Sequence, residues 1–277
     1  MMVHGSHSTT VTVSRDTYDL KARRTAPQDS NAPWIVFGNS LVTDMTIWDA
    51  QATALAGRYG VLRYDQAGHG QSGVPQREIT FDDLGADLLA VMDAADIERA
   101  IYVGLSMGVP TGLAAHRQAA DRFTALAFSD GQAKTAPGEA AGWAERIEAA
   151  QTEGMDAFAA ATAGRWLTDA SGPETRTRLT QMIADTPFDG FKACATALMD
   201  YDYADELARI ACPTLLIAGA EDGAMPEGMA SKLLPAVAGS TMHVVDGAGH
   251  VPCFEQPDAF NVILSNFLEM TIGRIAR

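Results

Sequence analysis

The pentapeptide Gly104-Leu105-Ser106-Met107-Gly108 constrains this 277-residue chain more than any other stretch. It follows the β-branched and aromatic run Ile101-Tyr102-Val103 and precedes a helical pattern, so it reads as a strand that turns sharply into a helix. Glycine is required two residues either side of the serine, because a Cβ there collides as the chain reverses. The same turn lifts the Ser106 hydroxyl clear of the backbone, which makes it a candidate nucleophile.

Strand and helix alternate around this turn. Val11-Thr12-Val13 and residues 18–24 alternate like an early antiparallel hairpin, and Trp34-Ile35-Val36-Phe37 reads as a buried strand ending in the loop Gly38-Asn39-Ser40-Leu41. A helical period at 48–56, a strand at 61–64, a glycine-rich loop at 65–73 and an amphipathic helix at 81–94 follow. Beyond the serine turn its helix runs to about 120, and 123–128 is another strand. Such alternation predicts a mostly parallel, eight-stranded sheet flanked by helices. It breaks between 134 and 209, where 139–152, 155–162, 174–184 and 188–198 are helical and no strand intervenes. It returns with strands at 214–218 and 241–245 and helices at 226–234 and 257–270. The reading is an α/β core over 11–133 and 210–277, a helical cap inserted at 134–209, and a flexible leader at 1–10.

Apolar residues at 47% and charged ones at 20% are globular values, and the length allows a large core. A formal charge of −15 argues against nucleic acid or an anionic membrane surface as partner, since phosphates are repelled. A small molecule remains the expected partner, with a second copy of the chain as the other candidate. No apolar run is long enough to span a bilayer, and no basic-then-apolar signal opens the chain. Cys194, Cys212 and Cys253 are widely spaced with no Cys-x-x-Cys pair to suggest zinc or a disulfide framework, so they read as buried thiols in a reducing compartment; with no span or signal the expected location is cytoplasmic, and no metal or cofactor is expected.

A serine nucleophile needs a base and an acid that orients that base. Of six histidines, His4 and His7 lie in the leader, His69 in the glycine loop, His116 on the helix after the serine and His243 inside a strand. His250 lies just past a strand in Asp246-Gly247-Ala248-Gly249-His250, at the sheet edge that presents Ser106, and is the expected base. Two aspartates follow strands at that edge. Asp222 gives the chain order Ser, Asp, His and is preferred; Asp130 is the alternative acid. An oxyanion hole needs two backbone N–H groups. Met107, directly after the nucleophile, is expected to supply one, and Ser40, on the loop after the 34–37 strand, is the choice by position for the other. Asn39 is either a turn residue or one whose amide orients that loop.

Several stretches together resemble the α/β-hydrolase superfamily, and more narrowly its 3-oxoadipate enol-lactonases. They are 37–44 with Trp48-Asp49, Arg63-Tyr64-Asp65 running into Gly68-His69-Gly70, the serine pentapeptide, Ala141-Gly142-Trp143, Arg165-Trp166, and Ala248-Gly249-His250. The resemblance implies Ser106, Asp222 and His250 as catalytic residues, with Met107 and Ser40 as oxyanion donors. Two positions depart from that pattern: Ala67 stands where the group has an arginine, and Val109-Pro110 replaces a second glycine, with Pro110 lacking an N–H for the early helix.

Asn39, Trp143 and Trp166 are the candidate substrate-binding residues, while Met155, Phe158, Met182 and Met199 read as cap core. The function expected is a cofactor-free serine hydrolase acting on a small lactone or carboxylic ester through an acyl-enzyme. The rivals are a cofactor-independent oxygenase on the same fold, a hydrolase of amide or carbon–carbon bonds, and a ligand receptor without turnover.

Overall fold

The computed structural model describes residues 8–275. Its strands are β1 (Ser8–Ser14), β2 (Asp19–Thr25), β3 (Trp34–Gly38), β4 (Gly60–Asp65), β5 (Ala100–Leu105), β6 (Phe123–Ser129), β7 (Thr214–Gly219) and β8 (Thr241–Val245). They form one eight-stranded sheet in the order β1-β2-β4-β3-β5-β6-β7-β8, antiparallel at β1, β2 and β4 and parallel from β4 onward. Strands β4, β5 and β7 are buried along their whole length, as the central strands of a two-sided parallel sheet must be. Of the leader expected at 1–10, residues 8–10 belong to β1 and pair with Thr25, Arg24 and Arg23; the remainder lies outside the described residues.

Right-handed crossovers decide where the helices lie. The step from β3 to β4 runs toward one edge and carries α1 (Asp49–Leu55). Steps from β4 to β5 and from β5 to β6 run the other way, carrying α2 (Phe81–Ala94) and α3 (Gly108–Gln118). Reversed direction at fixed hand places α1 on the opposite face from α2 and α3. The reversal falls between β3 and β5, and a ligand crevice opens outside the carboxyl ends of strands at such a switch point. The 38–43 loop and Ser106 are the segments that emerge there.

Residues between β6 and β7 fold as α4 (Glu139–Glu153), α5 (Met155–Trp166), α6 (Pro173–Ala184), α7 (Phe188–Ala197) and the short α8 (Ala204–Leu207). An antiparallel bridge from Lys134 to Asp202 joins the two ends of this insertion. Past β7, the helix expected at 226–234 is a short α9 (Met225–Gly228) continued as a wide π-type turn (Met229–Leu233). The chain ends with α10 (Pro252–Glu255) and α11 (Pro257–Ile275).

Two departures from the enol-lactonase pattern find physical explanations. Ala67 is wholly buried, and its carbonyl accepts from the Cys194 thiol of α7 at 3.4 Å. Beside it, Gly68 and Gly190 of α7 meet backbone to backbone, so the insertion rests directly on the glycine loop and leaves no room for a long side chain. Pro110 falls in the first turn of α3, where N–H groups have no intrahelical acceptor. The missing donor therefore removes no helical bond, since the first one runs from Thr111 N–H to Met107 C=O at 3.3 Å.

The glycine loop is also tied from beneath. Asp65 accepts the N–H groups of Met45 at 2.7 Å and Gln71 at 2.9 Å, so one carboxylate fixes the chain on both sides of β4. Burial pushes that carboxyl up to about 6, against which the two backbone bonds pull down. Between the unfolded value near 3.8 and about 6, the folded chain holds a proton that the unfolded chain has released, so Asp65 makes stability fall as pH rises through that window. Asp65→Asn is expected to flatten the fall between pH 4 and 6 in denaturant melts. The slope will not vanish, because burial raises Asp87 and Asp130 in the same direction. Gly190→Ala, which drives a methyl into the Gly68 carbonyl, is expected to lower stability by about 1–3 kcal/mol in urea unfolding.

Candidate active site

Ser106 occupies the turn between β5 and α3 with φ of 52°, a left-handed conformation that costs an ordinary residue about 1–3 kcal/mol. The surroundings impose it. Its N–H donates to Ser129 C=O at 2.8 Å and its C=O accepts from Val109 at 2.9 Å. A Cβ on Gly104 would stand 2.5 Å from Gly108 C=O, and one on Gly108 would stand 2.6 Å from Gly38 C=O. The glycines thus let the end of β3, the end of β5 and the first turn of α3 touch through backbone alone.

The loops after β7 and β8 pack with equal closeness. Ala220 N–H donates to Val245 C=O at 3.0 Å and Glu221 N–H to Ala248 C=O at 2.9 Å, which sets Asp222 beside His250. Asp222 Oδ2 lies 2.8 Å from His250 Nδ1, and His250 Nε2 lies 2.9 Å from Ser106 Oγ. The row runs unbroken from carboxylate to imidazole to hydroxyl. Glu221 is exposed and takes no part.

Asp130 lines the same cavity but stands differently. It is wholly buried, its Oδ1 accepts from Gly219 N–H at 2.8 Å, and its Oδ2 accepts from Ser129 Oγ at 2.6 Å. Burial, reinforced by the nearby charge of Asp222, holds its carboxyl well above the usual range, favouring the neutral acid. An acid that stabilises an imidazolium must be charged. Asp130 therefore braces the carboxyl edge of β7.

None of the other described histidines joins the row. His69 is buried with its Nδ1 3.0 Å from Ala67 C=O, and burial lowers its pKa to about 4, so it stays neutral. His116 is buried against Glu206 at 2.6 Å, and His243 is exposed on β8. His4 and His7 lie outside the described residues.

The serine opens into a cavity of about 190 Å³, walled in part by Leu41, Val42, Met107, Trp143, Phe158 and Trp166. Trp143 and Trp166, the two tryptophans named from the sequence, both line the cavity, and the Trp166 indole stands 4.9 Å from the His250 ring. Phe158, expected in the cap core, packs on Phe191 at 4.6 Å and also lines the cavity. Asn39 does not reach it. Its amide N donates to Tyr64 C=O at 2.8 Å and its amide O accepts from Trp48 Nε1 at 3.1 Å, so both ends are engaged in orienting the loop after β3. Ser40 is also wholly buried and absent from the cavity wall, with no partner for its hydroxyl among the described residues; Leu41 and Val42 are the loop residues that reach the wall.

Sequence reasoning passed over the cavity's cations. Arg146 and Arg165 both line it, the former stacked over Trp143 at 4.5 Å, and neither pairs with a carboxylate among the described residues. Desolvation and the charge of Arg146 both lower the pKa of Arg165. Glu139 is also at the wall, accepting from Gln132 Nε2 at 2.5 Å and Ala136 N–H at 2.8 Å. The spacing of Trp143 and Arg146, three apart on α4, was the signal available, since such residues share a helix face. No group of His, Cys, Asp and Glu among the described residues is arranged to hold a metal ion, and no described helix is long and apolar enough to cross a membrane.

Known proteins resemble this chain in sequence and fold. A family profile described as "alpha/beta hydrolase fold" matches residues 33–257. A 3-oxoadipate enol-lactonase from Acinetobacter baylyi is 35% identical over 266 residues, covering 95% of this chain and 97% of that protein. The crystal structure of an enol-lactonase from Burkholderia xenovorans LB400 superposes with a TM-score of 0.85 at 35% identity, covering 91% of this chain and 97% of that one. More distant relatives are provisionally named as carbamate hydrolases; the one from Caulobacter sp. is 27% identical over 86% of this chain and 91% of its own length. The chain is an enzyme of the α/β-hydrolase family, and within that family it is similar to enol-lactonases.

Proposed function

We propose that this enzyme is a cofactor-free serine hydrolase that opens a small lactone or carboxylic ester. The observation that carries the reading is the hydrogen-bonded row Asp222–His250–Ser106, with spacings of 2.8 and 2.9 Å, in the wall of the cavity. Ser106 Oγ attacks the carbonyl carbon while His250 Nε2 takes its proton, and Asp222 holds the opposite imidazole N–H and offsets the positive charge. The alkoxide leaving group recovers that proton from His250; in a lactone it stays tethered to the acyl group. Water, deprotonated by the same imidazole, then releases the acid and frees the serine.

The negative charge on the carbonyl oxygen needs donors already in place. The Met107 and Leu41 N–H groups fit this role, because both residues line the cavity and neither N–H donates to another described residue. Leu41 is preferred to its neighbour Ser40, which does not reach the wall.

Helices α4 and α5 act as a cap that closes the cavity and selects the substrate. The small volume favours a compact acyl group. Two guanidinium groups without carboxylate partners favour one that carries a negative charge away from the scissile bond. Enol-lactone hydrolysis in the relatives agrees with the reaction type.

The following measurements test the reading. Intact-mass analysis after fluorophosphonate treatment is expected to find one adduct on Ser106, and a panel of lactones, aryl esters, carbamates and amides is expected to be turned over fastest in its lactone and ester members. Ser106→Ala is expected to reduce kcat by roughly 10⁴-fold or more. Retained turnover with oxygen uptake would instead favour the oxygenase rival. Asp222→Asn is expected to cost roughly 10⁴-fold and Asp130→Asn far less, because Asp130 is held neutral already; the reverse order overturns the assignment of the acid. Arg146→Ala and Arg165→Ala are expected to raise KM about 10- to 100-fold for a carboxylate-bearing lactone while leaving a neutral ester unaffected.

A further inference from the structure

The loop that carries His250 is held by a carboxylate outside the row just described. Glu255 closes α10, five residues after His250 in the sequence. Its Oε2 accepts the N–H of Gly249, the residue before the histidine, at 2.7 Å. Its Oε1 accepts the N–H and the hydroxyl of Thr168, both at 2.7 Å, and the hydroxyl of Ser171. Four donors converge on one carboxylate, and no cation pairs with it among the described residues.

Thr168 and Ser171 follow directly on α5, whose last residue, Trp166, lines the cavity. That tryptophan touches the base twice. Its C=O accepts the His250 N–H at 2.8 Å, and its indole lies against the imidazole with centroids 4.9 Å apart. Gly249 meets the same carbonyl so closely that a Cβ there would collide with it. Segment 166–171 and the histidine loop therefore lie against one another through backbone contacts that are weak alone, and Glu255 spans the seam. A charged acceptor serves such a seam well, since charge-assisted bonds are shorter and about twice as strong as neutral ones.

We propose that Glu255 is the positioning residue for His250: it locks the histidine loop to the segment after α5, so that the imidazole meets Ser106 and Asp222 only when the helical insertion is seated. The inference rests on the proposed role of His250 as base. Glu255 touches no reacting atom, and its effect passes through the geometry of the loop. Glutamine at this position offers one carbonyl oxygen where two carboxylate oxygens now accept, so its NH₂ would confront either Gly249 N–H or the Thr168 donors.

The test compares wild type with Glu255→Gln, Glu255→Ala and the double variant T168A/S171A, which removes two hydroxyl donors from the far side of the seam and leaves Glu255 intact. With p-nitrophenyl acetate as substrate, kcat of the Glu255 variants is expected to fall about 10- to 100-fold, the cost of a misplaced catalytic group, with KM within about twofold. The acid limb of the kcat/KM pH profile should move, fluorophosphonate labelling of Ser106 should slow by the same factor as kcat, and the low-field proton resonance of His250 Nδ1–H should broaden. T168A/S171A should shift all of these the same way by a smaller factor. Unchanged kcat and pH profile in variants that merely melt earlier would reduce Glu255 to a packing residue and overturn the proposal. Where the Glu255 variants fail to fold, the double variant decides it alone by the same two outcomes. Absence of any Ser106 adduct in wild type is a separate failure, which removes the base and this inference with it.

Discussion

Everything at the candidate active site depends on one close approach of backbone: the first turn of α3 lies on the end of β3 with only glycine between them. Gly104 and Gly108 bring three segments together where a single methyl would stand about 2.5 Å from a carbonyl oxygen, and a methyl on Gly38 would collide with the Tyr102 hydroxyl. That contact forces Ser106 into its left-handed conformation, and the Met107 N–H donates to no other described residue. It also fixes the loop after β3, whose course is set from behind by the Asn39 amide between Tyr64 and Trp48. Strain at the serine persists because so many neighbours determine it at once.

Among the contacts that couple the insertion to this frame, two seams stand out. One is the glycine contact between Gly68 and Gly190, which seats α7 on the loop after β4. The other is the contact of Trp166 with Gly249 and His250, tied by Glu255. Trp166 of the second seam lines the cavity, so α5, which supplies Arg165, also bears on the histidine. An acidic chain, of formal charge −15, thereby presents two guanidinium groups to whatever enters. Net charge governs approach at long range; local charge in a desolvated pocket governs what binds.

Much of the fold was legible because its signals are local. A Gly-x-Ser-x-Gly turn, alternation of strand and helix, and its interruption over 134–209 each rest on sterics or periodicity within a few residues. The acid was legible only as a pair of candidates, since Asp130 and Asp222 both follow strands at the same edge. Their difference is one of surroundings: complete burial holds Asp130 neutral, while Asp222 sits part-exposed against the imidazole. Asn39 takes the loop-orienting one of its two expected roles, and neither it nor Ser40 lines the cavity wall. A one-residue offset along a tight loop decides whether a side chain points into the cavity or behind it, and residue spacing alone does not resolve that offset.

By itself the sequence determined which turn carries the serine, which loops carry a histidine and two aspartates beyond it, and the order in which strands and helices are made. These follow from backbone sterics and hydrophobic period, which act between neighbours in the chain. Only the tertiary structure decided that Leu41 rather than Ser40 reaches the wall, that Arg146 and Arg165 meet over one cavity, and that Glu255 joins segments separated by 84 residues at its contact with Ser171. Distances, burial and charge between remote segments exist only once the chain has closed on itself, and those quantities set both which proton moves and which substrate is held.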